Sequence, residues 1–160
     1  MTVVRLGTTD DVEAAMAVLT DAVAARWGSP VGPEEETSAR HRVRDGGGWL
    51  IVAEDGALVV GMAVGFDARA DEGAGAVVPG RCHLSFVYVQ SGRWGEGIGG
   101  QLVDAALTEA RRRGYDQIQL WTQETNVRAR RLYSSRGFVR TERTKLDDHG
   151  DEIAFWTRPL

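Results

Sequence analysis

The sequence predicts an α+β fold, one domain built on a mixed β-sheet, and three observations predict it. Strand and helix patterns alternate through the first half of the chain. Past the middle, a strand apolar on both faces runs into a glycine-rich turn that opens an amphipathic helix. Two strand-like stretches joined by Asp147-Asp148-His149-Gly150 then close the chain as an antiparallel pair. With 160 residues and neither repeat nor linker, residues 1–160 are expected to share a single core.

The elements can be justified in order. Met1 to Leu6 reads as a first strand. Thr8-Thr9-Asp10-Asp11 supplies the capping hydroxyls and first-turn acids of a helix start. Apolar residues recur at Val12, Ala15, Met16, Leu19, Ala22 and Val23, one face of a helix ending near Arg26 and broken by Trp27-Gly28-Ser29-Pro30. Pro33 to Asp45 is a second helix, opened by proline and Glu34 to Glu36 and stopped by Gly46-Gly47-Gly48. Strands over 49–54 and 58–66 flank Asp55-Gly56, a hairpin signal. Residues 67–80, rich in glycine, alanine and acids, are expected to form a long loop.

The second half starts with a central strand over 82–89, followed by the turn from Gln90 to Gly100. The helix it opens carries the stripe Ile98, Leu102, Val103, Ala106, Leu107 and Ala110, and Gly114 ends it. A strand over 117–122 leads to a short helix opened by Asn126 and closed by Gly137. The closing pair covers 138–146 and 152–157.

Composition narrows the function. Hydrophobic residues at 42% and charged residues at 26% are globular averages. No apolar run approaches the roughly 20 residues that cross a bilayer, so no membrane partner is expected. The first residues lack the features of a signal peptide, and the lone Cys82 supplies neither a disulfide framework nor zinc spacing. A cytoplasmic protein without a metal is the expectation. A net charge of −4 argues against a nucleic-acid partner. Arg111-Arg112-Arg113 reads as a solvated helix face, whereas Arg128, Arg130 and Arg131 stand near a candidate anion site.

That anion site is the strand–turn–helix itself. The first amides of a helix lack intrahelical partners and lie at the positive end of its dipole. Glycines let the backbone adopt positive φ and approach a phosphate. A phosphate-loop reading fails because Gly97 is followed by Ile98-Gly99 rather than Lys and Ser or Thr. Gly95, Gly97 and Gly100 satisfy a dinucleotide-type G-x-G-x-x-G by count, but too few strand–helix steps remain for a doubly wound sheet. A glycine-rich turn without a ligand is the plain alternative.

The stretch Val87-Tyr88-Val89 through Trp94-Gly95-Glu96-Gly97-Ile98-Gly99 resembles the acyl-CoA motif of the GNAT superfamily of N-acetyltransferases, commonly written Q/R-x-x-G-x-G/A. Trp94 holds the Gln/Arg position, with Arg93 one place earlier, and Ser91 replaces a frequent proline. A second pattern of the family, N-x-x-A-x-x-L-Y-x-x-x-G-F, is matched by Asn126, Ala129, Leu132, Tyr133, Gly137 and Phe138. The resemblance covers residues 84–140 and implies α/β/α layers: a mixed, mostly antiparallel sheet of about seven strands flanked by about four helices. It also implies transfer of acetyl from acetyl-CoA to a primary amine of a small molecule or peptide. A CoA-binding module with little catalysis is the alternative, and a homodimer is compatible with either.

The resemblance implies that the turn residues 94–99 bind pyrophosphate through their amides and that the backbone of Val87, Tyr88 and Val89 pairs with the pantetheine arm. It gives Asn126 a hydrogen bond to cofactor or substrate, beside a helix N-cap role. It makes Tyr133 the acid that protonates the leaving thiolate, where a core role is the alternative. For the base that frees the amine, the family's carboxylate is missing from Cys82, His83 and Ser85. His83 and Glu124 are the candidates; Cys82 is not expected to act as a nucleophile. Trp27, Trp49, Glu34 to Glu36, Asp71 and Glu72 are available to an acceptor amine, for which acids and aromatic rings suit a cation.

Overall fold

The computed structural model describes residues 1–45 and 48–160. Among the described residues seven strands and four α-helices follow in the order β1 (Thr2–Leu6), α1 (Val12–Trp27), α2 (Pro33–Asp45), β2 (Trp49–Asp55), β3 (Leu58–Arg69), β4 (Val77–Val89), α3 (Ile98–Arg112), β5 (Gln117–Gln123), α4 (Val127–Ser135), β6 (Val139–Leu146) and β7 (Glu152–Pro159). The sheet order is β1-β2-β3-β4-β5-β7-β6. Pairing is antiparallel for β1 with β2, β2 with β3, β5 with β7 and β6 with β7, and parallel for β4 with β5. The expected mostly antiparallel, seven-stranded α+β architecture is therefore present. Among the described residues no helix is long and apolar enough to cross a membrane.

The chain falls into two compact units, Met1–Phe66 with Phe86–Ala106, and Asp67–Ser85 with Leu107–Leu160. In the first unit the alternation of side chains along a strand decides which helix packs where. Leu50 and Val52 of β2, paired with Val64 and Met62 of β3, join Val12, Met16, Leu19 and Val23 of α1 and Ala39 and Val43 of α2 in one cluster. The opposite face offers Ala53 beside Gly61, and Ile98 and Leu102 of α3 sit against that glycine. A Cβ on Gly61 would come within 2.9 Å of Leu102, so glycine there admits the helix. Ile98 and Leu102 are fully buried, each worth roughly 1.5–3 kcal/mol relative to exposure.

An ion pair also braces this unit. Arg5 on β1 donates to both carboxylate oxygens of Asp11 (2.8 and 3.0 Å) and to Glu54 of β2 (3.1 and 3.0 Å). The Arg5 guanidinium holds the Asp11 carboxyl down at about 2. Because that value is depressed in the fold, the pair stabilises fully above the ordinary carboxylate range and is lost as pH falls toward 2.

In the second unit Cys82 and Leu84 of β4, Ile118 and Leu120 of β5, and Ala154 and Trp156 of β7 are buried, as are Leu107 and Ala110 of α3. Tyr133 of α4 meets Phe138 edge to face at 5.5 Å. The parallel ladder covers Arg81–His83 against Gln117–Gln119, three residues of a thirteen-residue strand.

Three expectations are revised. The loop over 67–80 shrinks to a tight turn, because β3 runs on to Arg69 and β4 starts at Val77. Ala70 N–H donates to the Ala76 carbonyl at 2.9 Å and closes that turn. Pro79 and Gly80, expected in the loop, lie within β4: Gly80 takes φ 75° there, and its carbonyl accepts from Asp116 N–H at 2.7 Å. Phe86 to Val89, on the strand expected to be central and apolar on both faces, are only half-buried. The α2 helix spans Pro33–Asp45, and the Gly46-Gly47 part of its predicted stop lies outside the described residues.

Candidate functional site

The glycine-rich turn belongs to the first unit. After β4 the chain makes a short 3-10 turn at Ser91–Arg93 and enters α3 at Ile98. Gly95 and Gly97 have φ of 86° and 83°, the left-handed region that costs other residues energy. Apart from the glycine and its chain neighbours, no atom of the described residues lies within 4 Å of where a Cβ would stand on either one. The side of the turn where those Cβ atoms would project is thus clear for a ligand. The first bond of the helix ladder runs from Gln101 N–H to the Gly97 carbonyl at 3.2 Å. The amides of Ile98, Gly99 and Gly100 precede it, as the open donors of a helix start do. Gly99 is half-buried inside the first turn of α3, while Glu96 and Gly97 are exposed.

Side chains fix the turn from behind. Asp21 of α1 accepts from Ser91 N–H at 2.7 Å and from its hydroxyl at 3.2 Å. Arg93 pairs with Asp55, at the end of β2, at 3.1 Å and with both oxygens of Glu96 at 3.0 and 2.9 Å. The N-terminal ammonium of Met1 first, and Arg93 after it, hold the Asp55 carboxyl below its ordinary range. Trp94, in the position of the family's Gln or Arg, donates its indole N–H to the Val89 carbonyl at 2.8 Å. It thereby joins the turn to the end of β4. Asp21 and Asp55 were missed by sequence reasoning, since one reads as a solvated helix acid and the other as a hairpin residue.

Val87, Tyr88 and Val89 are half-buried on the last stretch of β4. Phe86 and Tyr88 rings lie 5.7 Å apart, and the Arg42 guanidinium sits 5.6 Å from the Phe86 ring. Burial raises the Tyr88 hydroxyl above its ordinary value, which keeps it a neutral phenol.

The second unit holds the remaining candidates. Asn126 caps α4 as expected, its side-chain oxygen accepting from Ala129 N–H at 3.1 Å. Tyr133, two turns on, is 8% exposed. His83 of β4 stands opposite Gln119 of β5, with Nδ1 3.2 Å from the Gln119 side-chain nitrogen. The Gln119 amide is buried and sets the imidazole's orientation. If its oxygen faces Nδ1–H, the other ring nitrogen is left as a proton acceptor; the opposite flip makes that nitrogen a donor. Glu124 is clamped by Arg140 through two bonds of 3.0 and 2.9 Å. Arg140 accordingly lowers the Glu124 carboxyl, making it a weaker base. Among the acids that sequence reasoning offered to a cationic amine, Glu72 faces Arg143 and Lys145 instead.

A model of the Acetyltransferase (GNAT) family matches residues 13–138. An uncharacterised N-acetyltransferase from Archaeoglobus fulgidus is 37% identical over 102 residues, covering 59% of this chain and 67% of that protein. A mycothiol acetyltransferase from Beutenbergia cavernae is 43% identical over 51 residues, covering 32% of this chain but only 17% of that longer protein. The crystal structure of a ribosomal-protein-alanine N-acetyltransferase from Brucella melitensis superposes with a TM-score of 0.77 at 28% identity, over 99% of each chain.

Proposed function

The chain belongs to the GNAT acetyltransferase family, and from that premise we propose that it transfers the acetyl group of acetyl-CoA directly to a primary amine of a small molecule or peptide. The observation that carries this reading is the turn at the start of α3, where Gly95 and Gly97 take positive φ with clear space at their Cβ positions. Pyrophosphate would be held by the amides of the 94–99 segment, and the backbone of Val87 to Val89 would pair with the pantetheine arm as an added strand does. Residues 1–160 would then act as one acetyltransferase domain, in the cytoplasm.

Acetyl-CoA supplies the thioester when bound. The amine nitrogen forms a bond to the acetyl carbon as the carbon–sulfur bond breaks, giving an amide and CoA thiol. The amine's protons leave to a base before and during attack. His83 is the better-supported base, because the Arg140 clamp weakens Glu124. Tyr133 donates the proton that the departing sulfur takes up. Asn126, already bonded to Ala129 N–H through its oxygen, keeps its amide N–H groups for cofactor or substrate.

A second reading, a CoA-binding module with little catalysis, is favoured by that same clamp on Glu124. Thermal shift with acetyl-CoA, CoA, NAD and ATP separates binding classes, since a ligand raises apparent stability by mass action. Thiol release across a panel of amines then separates enzyme from module. Tyr133→Phe keeps the ring against Phe138, so folding should persist. We expect kcat to fall about 10–100-fold with acetyl-CoA affinity nearly intact, the low end of general-acid effects. A Phe variant with wild-type kcat, where chemistry limits turnover, returns Tyr133 to the core.

A further inference from the structure

The face of the sheet that carries His83 continues into a cluster no step above uses. Side chains two apart on a strand share a face. His83 pairs with Gln119, Trp121 with Phe155, and Lys145 with Ile153, so one face of the second unit presents His83, Gln119, Trp121, Phe155 and Lys145 together. Trp121 and Phe155 rings lie 5.1 Å apart. Lys145 Nζ stands 4.4 Å from the Trp121 ring centre, and the Arg143 guanidinium lies 5.2 Å from Trp121 and 5.0 Å from Phe155. Two cations thus share one aromatic floor.

Among the described residues a single carboxylate answers them. Glu72 reaches Arg143 at 3.7 Å and Lys145 at 3.4 Å. Both contacts are longer than the 2.9–3.0 Å bonds of the Glu124–Arg140 clamp, and the Glu72 side chain is half exposed. Glu72 does this from a turn where it and Asp71 hold φ of 56° and 51°, a conformation disfavoured for both. A loosely held internal carboxylate over a cationic, aromatic floor stands where an external carboxylate can replace it.

We propose that this floor is the acceptor subsite for an amine bearing a carboxylate, which displaces Glu72 from Arg143 and Lys145. The proposal rests on the acetyl-transfer reading and adds the acceptor's chemical class to it. It also reverses the expectation from composition that acids would receive a cationic amine. The two cations serve twice, since nearby positive charge also favours the neutral, nucleophilic form of the amine.

The test is thiol release from acetyl-CoA with ω-amino carboxylates, from β-alanine to 6-aminohexanoate, each against the n-alkylamine of equal length. At least one acid should exceed its alkylamine in kcat/KM by about tenfold, in the range of one charge-assisted hydrogen bond. Arg143→Gln and Lys145→Gln should each erase most of that preference, lowering kcat/KM for the acid far more than for its alkylamine; Glu72→Gln should raise the preference about threefold. These side chains are 54%, 32% and 50% exposed, so the variants should fold, with circular dichroism as the check. Equal use of acids and alkylamines, or a preference that survives both cation variants, overturns the subsite. Should no amine release thiol, acetyl transfer itself fails. Calorimetry with 6-acetamidohexanoate then still decides the subsite: binding weakened by Lys145→Gln supports it, and no binding overturns it.

Discussion

Two of the chain's positive-φ turns are built in opposite ways. The turn before α3 uses Gly95 and Gly97, for which φ of 86° and 83° costs little, and places its carboxylates behind the backbone. There Asp21 holds Ser91 while Asp55 and Glu96 hold Arg93. The turn between β3 and β4 puts Asp71 and Glu72 at φ of 51° and 56° and sends a carboxylate forward onto two cations. In the first turn, on the proposed function, the backbone would bind while the side chains hold it still. In the second the backbone carries strain so that a side chain can reach. A site built on amides needs glycine at the binding positions; a site built on a side chain needs the side chain that glycine lacks.

The largest effect that distinguishes them is Gly97→Val. A β-branched side chain at φ 83° is strained and fills the clear side of the turn. Acetyl-CoA affinity should drop at least ~10-fold, about 1.4 kcal/mol, in calorimetry. Unchanged affinity in a folded variant breaks the comparison, because the turn would then not bind through its backbone.

Next in size is Asp55→Asn, which loosens Arg93 without touching a glycine. The expected result is a KM for acetyl-CoA about 3–10-fold higher with kcat unchanged, and partial rescue by Asp55→Glu. Asp55 is depressed in the fold by the Met1 ammonium and Arg93, so its contribution is present above the ordinary carboxylate range and disappears as pH falls below it. Melting temperatures of wild type and variant should therefore differ at pH 7 and converge toward pH 3. Glu72→Gln is the matching control: its exposed pairs should be worth under about 0.5 kcal/mol, and the acetyl-CoA KM should not move.

How much of this was legible in the sequence follows the same division. The α3 stripe and the glycines before it were plain, because periodicity and positive φ leave marks in residue type. Asn126 was legible for the same reason, as a cap. The extensions of β3 and β4 were not. Asp67 to Arg69 and Val77 to Gly80 carry one acid, a proline and a glycine, residues common in loops, and only their pairing across a short turn makes them strands. Nor could alternation reveal that β7 enters between β5 and β6, since either order satisfies the same apolar pattern. Phe86 to Val89 read as a strand covered on both faces because apolarity does not say how completely a residue is covered. The Arg140 clamp on Glu124 and the cations around Glu72 are contacts across strands far apart in sequence. Such contacts fix what a carboxylate can do, and nothing local records them.

The smallest expected effect concerns the strained turn itself. Asp71 at φ 51° pays a left-handed penalty of roughly 1–2 kcal/mol per residue, reduced for Asp, which tolerates that region better than most. Glycine removes the penalty but enlarges the entropy of the unfolded chain, which costs about 0.4–1 kcal/mol. Asp71→Gly should therefore stabilise the protein by no more than ~0.5 kcal/mol in urea unfolding, with an unchanged m-value. The reciprocal change, Gly97→Ala, should destabilise by about 0.5–1 kcal/mol, because the same two terms act with opposite sign. Opposite signs at the two turns support the division between glycine-borne and strain-borne geometry. Loss of more than 1 kcal/mol for Asp71→Gly would mean that the Asp71 side chain, rather than the Glu72 contact, holds the second turn.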